Sequence, residues 1–517
     1  MSINILWADD EIDLLKPHLL FLEGKGYKVT TATSGNEALD FINEKDFDIV
    51  FLDENMPGLS GLETLTRIKN SKPALPVIMI TKSEEEAIME DAIGNKIADY
   101  LIKPVNPNQI LLALKKTLEN RRLISEKTAM TYQQEFRQLG TTLSGRINHE
   151  EWIDLYKKFT YWELELESSK DDSLNEIFKM QKTEANSLFA DYVEDNYIDW
   201  IKGHAEEKPL FSHNVFREKC LPAIKNNEKT FLIVIDNLRY DQWKMLQPRF
   251  EEFFIIEKED LYYSILPTTT QYCRNAFFAG LVPLDIMKKY PQYWSGADDE
   301  GSKNQFEMQL LDEQLKRNGV NIKFNFNKIL SLNAGKKFAD NIGNFINAPL
   351  NVLVYNFVDM LSHSRTEMEV IKELVDDEAA YRSLTLSWFD HSPLFDIISY
   401  LSEKKINVIL TTDHGSIRVD NPIKVVGDKN TNTNLRFKTG KNLQYNPKDV
   451  YEVINPADVF LPKEHVSSKY IFAKEYKFFA YPNNYNYYVK YYRDTFQHGG
   501  ISLEEMLIPI VLFKPKQ

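Results

Sequence analysis

Cysteine is nearly missing from this chain of 517 residues: only Cys220 and Cys273 occur. Two thiols cannot build a disulfide framework or a cysteine-based zinc site, so stability must come from buried apolar surface. Basic charge is also short. Lys and Arg number 62 against 76 Asp and Glu, a net charge of −14. That balance disfavours a broad nucleic-acid or anionic-membrane surface, because phosphates attract basic patches. It leaves room for a small basic pocket that takes one phosphorylated ligand. No apolar run approaches the ~18 residues of a membrane span. The opening MSINILWADDEIDLL has no basic leader and no cleavable apolar core. No membrane insertion is expected, and the expected compartment is cytoplasmic. What is present is ordinary globular usage, 43% hydrophobic and 27% charged, enough for two to four domains at roughly 100–200 residues each.

Residues 1–120 alternate short apolar runs with amphipathic stretches. The runs Ile3–Ala8, Lys28–Ala32, Phe47–Leu52, Pro76–Ile80 and Asp99–Ile102 predict five strands alternating with helices, hence a parallel sheet covered on both faces. Chemistry in such sheets collects at the carboxyl ends of the strands. Asp9 and Asp10 close the first run, Asp53 the third, Thr81 the fourth and Lys103 the fifth. Three carboxylates together repel one another, so a hard cation such as Mg²⁺ is the natural occupant. A lysine and a hydroxyl beside them suit an anion forming on one carboxylate. The motifs WADDE, LDENMPG, MITKSE and DYLIKP resemble a two-component receiver domain of flavodoxin-like fold. The resemblance implies that Asp53 takes a phosphoryl group from a cognate sensor histidine kinase. It further implies that Asp10, Asp53 and the carbonyl of Asn55 hold Mg²⁺, with Asp9 steering the ion through water. Lys103 would contact the phosphoryl oxygens, and Thr81 and Tyr100 would reorient to report the added charge. Receivers of this kind dimerise through the face bearing Tyr100 and the last helix, so a homodimer is expected on phosphorylation.

Residues 121–205 read as a helical connector. From Asn108 to Lys208 there is no proline, and Trp152, Leu155, Tyr156, Phe159 and Trp162 recur at helical spacing. Nothing in this stretch resembles a winged helix or another DNA reader, and with the acidic balance no direct DNA binding is expected.

Residues 206–517 deliver acids from hydrophobic strands. TFLIVI ends in Asp236; NVLVYNFV ends in Asp359, with His363 four residues on; INVILTT ends in the pair Asp413-His414; His498 comes late. Three acids with three histidines suffice for two ions at three ligands each. Mixed Asp/His ligation favours Zn²⁺, Mn²⁺ or Fe²⁺ over Mg²⁺. In LPTTTQYCRNAFFAGL a helix is expected to start near Thr270. A hydroxyl at a helix N-terminus beside a cation is a candidate nucleophile. Three threonines adjoin there, and Thr270 stands ten residues before Gly280. Arg274, one turn beyond, is a candidate phosphate contact or a structural residue. A tyrosine-rich tail around Tyr476–Tyr488 offers rings on which bases can stack, or strand core and surface.

These residues, opened by IDNLRYDQW, resemble the PglZ-type branch of the alkaline phosphatase superfamily, with an α/β/α fold. By that resemblance Asp359, His363 and His498 hold one Zn²⁺. Asp236, Asp413 and His414 hold the other, and Thr270 attacks phosphorus between ions about 3.5–4 Å apart. Receiver, connector and this domain in that order resemble the PorX-type response regulators linked to type IX secretion. The expected function is a phosphorylation-controlled phosphodiesterase or phosphatase acting on small cyclic or oligonucleotides. The alternative is an adaptor whose zinc-stabilised output domain recruits partners such as transcription factors.

Overall fold

The computed structural model describes residues 3–72, 75–81, 97–169, 172–225, 229–296, 302–367, 377–427, 431–463, 465 and 467–516. The chain forms two compact units, Met1–Glu135 with Ser168–Lys170, and Phe136–Glu167 with Asp171–Gln517. Among the described residues, no helix is long and apolar enough to cross a membrane.

The first unit is built on β1 (Asn4–Ala8), β2 (Lys28–Ala32), β3 (Ile49–Asp53), β4 (Val77–Thr81) and β5 (Asp99–Ile102), in the order β2-β1-β3-β4-β5 and parallel throughout. The central strands read as continuous apolar runs because both faces are covered. Leu6, Ala8, Val50, Leu52, Val77 and Met79 point into one core layer. Their neighbours Ile5, Trp7, Ile49, Phe51, Ile78 and Ile80 point into the other, with Ile110 and Leu114 of the helix Pro107–Leu143. Alternation along each strand thus splits one run between two cores. Helix starts are fixed by serines: Ser34 accepts from the amide of Glu37, and Ser60 with Glu63 forms a reciprocal capping box.

The second unit holds a mixed sheet of six strands. They are β6 (Thr230–Ile235), β7 (Phe254–Tyr263), β8 (Phe324–Ile329), β9 (Leu350–Tyr355), β10 (Asn407–Thr411) and β18 (Leu507–Pro515). Their order across the sheet is β7-β18-β10-β6-β9-β8. β10, β6, β9 and β8 are parallel, and β18 and β7 continue the sheet antiparallel. β6 pairs Ile235 with Tyr355 and Val234 with Thr411. The carboxyl ends of β6, β9 and β10 therefore meet at one rim. Three small sheets complete the unit: β11 (Ile417–Val419) with β17 (Thr495–Gln497), β12 (Asn421–Lys424) with β16 (Lys477–Ala480), and β13 (Phe437–Gly440) with β15 (Lys469–Ala473) and β14 (Val450–Val453).

The linker helices His149–Ser169, as far as Glu167, and Asp172–Lys202 belong to this second unit. Trp152, Leu155, Tyr156, Phe159 and Trp162 are buried as the spacing predicts. Two local expectations change. The run NVLVYNFV does not stay extended to Val358: β9 stops at Tyr355, and Phe357–Glu367 is a helix. Asp359 thus sits in a first helical turn, with His363 one turn later on the same face. The tyrosine-rich tail also divides. Phe478 and Phe479 are buried in β16, whereas Tyr485–Tyr492 is a helix with no buried residue.

Candidate functional site

Two rims carry chemistry, one in each unit. In the receiver, β1 and β3 end side by side, and the oxygens of Asp9, Asp10 and Asp53 lie within 4.8 Å of one another. Lys103, just past β5, reaches Asp53 at 2.7 Å and Asp9 at 2.9 Å. Burial, aided by the charges of Asp9 and Asp10, raises the pKa of Asp53 against the pull of Lys103. Burial also disfavours the Lys103 ammonium, yet its hydrogen bonds to Asp53 and Asp9 hold its pKa above the ordinary lysine value. Thr81, the last residue of β4, is buried; Tyr100 is 39% exposed and Asn55 is exposed. This acidic triad is of the type that binds Mg²⁺.

In the second unit Asp236 follows β6, Asp413 and His414 follow β10, and all three are buried with ligand atoms within 4.8 Å of one another. Asp359, His363 and His498 form a second such group. The two groups abut, since the His414 and His498 rings stack with centroids 4.3 Å apart. Thr270 opens the helix Thr270–Ala279, with Thr269 as the residue before it and left-handed Gly280 (φ 59°) closing it. A side chain at Gly280 would collide with Gln314. The Thr270 hydroxyl oxygen lies 3.2 Å from Asp236 Oδ1 and 3.0 Å from His414 Nε2. His414 Nδ1 faces the carbonyl of Gly415 at 3.0 Å. A carbonyl only accepts, so Nδ1 carries the proton and Nε2 presents its lone pair to Thr270.

The electrostatics test whether these groups suit metal ions. Burial opposes the charge on Asp236, but Arg274 above all holds its pKa below the ordinary value. Asp413 is pushed well up by burial and by Asp236, and Asp359 is pushed up to about 7 by the same two causes. Asp413 Oδ2 is buried without a hydrogen-bond partner. Burial keeps His414 and His498 below the ordinary imidazole value, hence neutral and able to ligate. An orphaned carboxylate oxygen, crowded acids and neutral imidazoles fit bound cations. The buried Asp/His groups can hold metal.

Arg274 is buried. Its Nη1 donates to Asp236 at 2.6 Å and its Nε to Glu307 at 2.5 Å, while Lys328 reaches the other Glu307 oxygen at 2.6 Å. Sequence reasoning singled out neither Glu307 nor Lys328, which stand far from any motif. It also passed over Asn237, at φ 62°, whose side chain donates to Asp359 at 3.4 Å and Ser362 at 3.2 Å. An Asn directly after a strand-ending acid was the available signal, because Asn tolerates that backbone region. Thr268, one of the three adjoining threonines, has a contact that the sequence did not show. Its carbonyl meets His498 Nδ1 at 3.2 Å, and its hydroxyl bridges the Gly499 amide and Gly500 carbonyl. His149 and His204 stay outside both groups, and His213 is held near pKa 4 by burial.

Comparison with known proteins accords with this layout. Residues 5–115 match the response regulator receiver domain, residues 122–201 the PorX response regulator linker domain, and residues 215–513 the BREX system PglZ alkaline phosphatase-like domain. The chain is similar to the transcriptional regulatory protein ZraR of Escherichia coli O157:H7, 33% identical over 139 residues, covering 27% of this chain and 32% of that protein. It is also similar to the alginate biosynthesis transcriptional regulatory protein AlgB of Pseudomonas putida, 36% identical over 127 residues, 25% of this chain and 28% of that one. The chain thus spans about a third or less of the length of these relatives. A CheY-like response regulator receiver domain protein from Methanospirillum hungatei JF-1 aligns at TM-score 0.23 and 28% identity, over 23% of this chain and 96% of that one. The receiver domain implies a cognate histidine kinase as partner. The PglZ match alone takes in more than half of the chain; the chain belongs to that alkaline phosphatase-like family and, with receiver and linker before it, is a PorX-type response regulator.

Proposed function

We propose that this protein is a phosphorylation-controlled, metal-dependent phosphoesterase, divided as receiver 1–120, connector 121–205 and hydrolytic domain 206–517. Asp53 accepts the phosphoryl group, and Thr270 is the nucleophile of the output domain. One observation carries the reading: the Thr270 hydroxyl stands at a helix N-terminus within 3.2 Å of Asp236 and 3.0 Å of His414. A scaffold has no use for a hydroxyl held there.

Asp359, His363 and His498 would hold one ion, and Asp236, Asp413 and His414 the other, with Zn²⁺ favoured by the mixed Asp/His donors. Bound there, the ions supply positive charge that favours an ionised threonine and the charge developing on phosphoryl oxygens. The chain's own residues do the positioning. Asp236 and His414 orient the hydroxyl, Arg274 with Glu307 fixes Asp236, and the first-turn amides of Thr270–Ala279 favour an anion. With a diester the threonine oxygen bonds to phosphorus as one alcohol departs carrying the hydroxyl proton, giving a threonine-linked phosphodiester. Water then cleaves the threonine–phosphorus bond, its hydroxide ending on phosphorus and its other proton on the threonine oxygen, which restores the hydroxyl and releases a phosphate monoester.

Small nucleotide diesters, cyclic or oligomeric, are the preferred substrates. Tyr481, Tyr488 and Tyr492 line a 420 Å³ cavity whose lining includes none of the Asp/His groups, and exposed aromatic faces of this kind can stack bases. Membership of the PorX-type regulators supports a place in signalling that controls type IX secretion. The test is turnover of nitrophenyl monoesters and diesters with added Zn²⁺ or Mn²⁺, before and after acetyl phosphate treatment. Diester hydrolysis that rises on phosphorylation is expected. No turnover of any phosphoester would hand the output domain to the adaptor reading.

A further inference from the structure

The linker helices do more than fill space beneath the output domain. Glu163, on the helix His149–Ser169, and Lys182, on the helix Asp172–Lys202, pair at 2.7 Å. Both reach buried charges around the metal-ligand loops. Lys182 Nζ meets Glu504 at 2.9 Å, and Asn186, one helical turn on, donates to the other Glu504 oxygen at 3.1 Å. The Asn186 side-chain oxygen Oδ1 accepts the Leu503 amide at 2.8 Å. Three linker contacts thus pin the short turn Leu503–Met506.

That turn backs His414. Gly415 lies so close to Glu504 that any side chain on it would run into the Glu504 carbonyl, and its amide donates to Glu505 at 3.2 Å. The Gly415 carbonyl is the acceptor that sets the His414 ring. The same added side chain would also meet the Arg239 side chain. Arg239 is fully buried, donates through Nε to Asp241 at 2.9 Å, and stands 5.3 Å from the Phe496 ring, two residues before His498. Asp241 in turn accepts from Arg382 at 2.9 Å, and Arg382 donates to Glu163 at 3.1 Å and Glu167 at 2.6 Å. The ring of contacts closes on the linker.

We infer that Glu163, Lys182 and Asn186 are positioning residues of the metal centre, acting through Glu504 and Gly415 on His414 and through Arg382 and Asp241 on the segment after Asp236. Partners that orient a metal-binding histidine set its tautomer and direction, and their loss typically lowers affinity about 10–100-fold. A buried network of this kind holds its geometry only while every member is satisfied. The inference rests on the two-metal reading of the output domain, so its test measures the metal and not turnover.

The experiment loads the full-length apo protein with Co²⁺ and records the visible ligand-field spectrum and the affinity by chelator competition. Lys182→Met and Asn186→Ala should shift the spectrum and weaken one of two sites by about 10–100-fold, while Lys182→Arg restores both. Leu139→Ala, a buried linker substitution outside the network, serves as the stability control and should lower the melting temperature with an unchanged spectrum. If Lys182→Met proves unfolded, Asn186→Ala decides, since it leaves no unpaired charge. Parent-like spectra and affinities in both variants would overturn the positioning role alone. Failure of the parent to bind cobalt would overturn the metal reading and this inference together.

Discussion

The two acidic rims solve the same problem in opposite ways. The receiver gathers Asp9, Asp10 and Asp53, but Lys103 lies within 2.9 Å of two of them and Asp10 is exposed to water. Its charge is partly compensated by protein and solvent. The output rim gathers Asp236, Asp359 and Asp413 almost out of reach of water, and Arg274 serves Asp236 and Glu307 first. Asp413 and Asp359 are left with raised pKa values. Buried acids crowded in this way beside histidines can hold metal ions. Similar clusters of acids thus stand beside a lysine that offsets their charge in one rim, and beside histidines that could hold metal with them in the other.

The largest effect expected is at Asp53. Asp53→Ala removes the only acid of the three that sits at the end of β3 against Lys103, and should abolish labelling by acetyl phosphate with the fold intact. Undiminished labelling would falsify that assignment. Next comes Thr270→Ala. It deletes the proposed nucleophile but no carboxylate or imidazole of the proposed metal groups, so phosphoester turnover should fall by roughly three orders of magnitude or more while metal content holds. Thr270→Ser should keep partial activity, and Thr268→Ala should lose only about tenfold by loosening His498. Parent-like rates in Thr270→Ala would point to direct attack by water instead. Smaller again is Arg274→Met. Breaking a buried ion pair by deleting one partner costs about 3–5 kcal/mol, so the apo output domain should unfold earlier in calorimetry. Added Zn²⁺ should return most of that loss. An unaltered apo transition would show that Arg274 does not neutralise the site.

Strand-end acids were readable because a buried parallel strand is a continuous apolar run, and the polar residue that ends the run must lie at the rim. That logic placed Asp9, Asp53, Asp236 and Asp413 at strand ends from sequence. It misplaced the end of β9, where Phe357 and Val358 prolong an apolar pattern that in fact turns into a helix. Apolar residues suit both a buried strand and a packed first turn, so periodicity could not divide them. Glu307, Lys328 and the linker residues Glu163 and Lys182 were illegible for a different reason. A single charge in a helix, or on the edge strand β8 in the case of Lys328, reads as a solvated face, and only the tertiary partner that buries it says otherwise. Lys182, 7% exposed beside Glu163 and Glu504, is such a residue.

The smallest effect expected is on self-association, and it tests whether the receiver behaves as a switch at all. Tyr100 is 39% exposed on β5, and Leu112, on the helix Pro107–Leu143, is 69% exposed. An ion pair between Lys116 and Asp99 at 3.1 Å joins the same helix to the same strand. Apolar rings and side chains left in water beside a charged pair suit a second copy of this face. Phosphorylation at Asp53 adds charge next to Lys103, which comes directly after β5, so the added charge can bias the arrangement of Tyr100. A bias of about 1.4 kcal/mol shifts the monomer–dimer constant tenfold. Sedimentation with beryllofluoride and Mg²⁺ should therefore show tighter dimerisation than without, and Tyr100→Ala with Leu112→Ala should erase the difference. A ratio of monomer to dimer indifferent to beryllofluoride would mean that the signal leaves the receiver by another face.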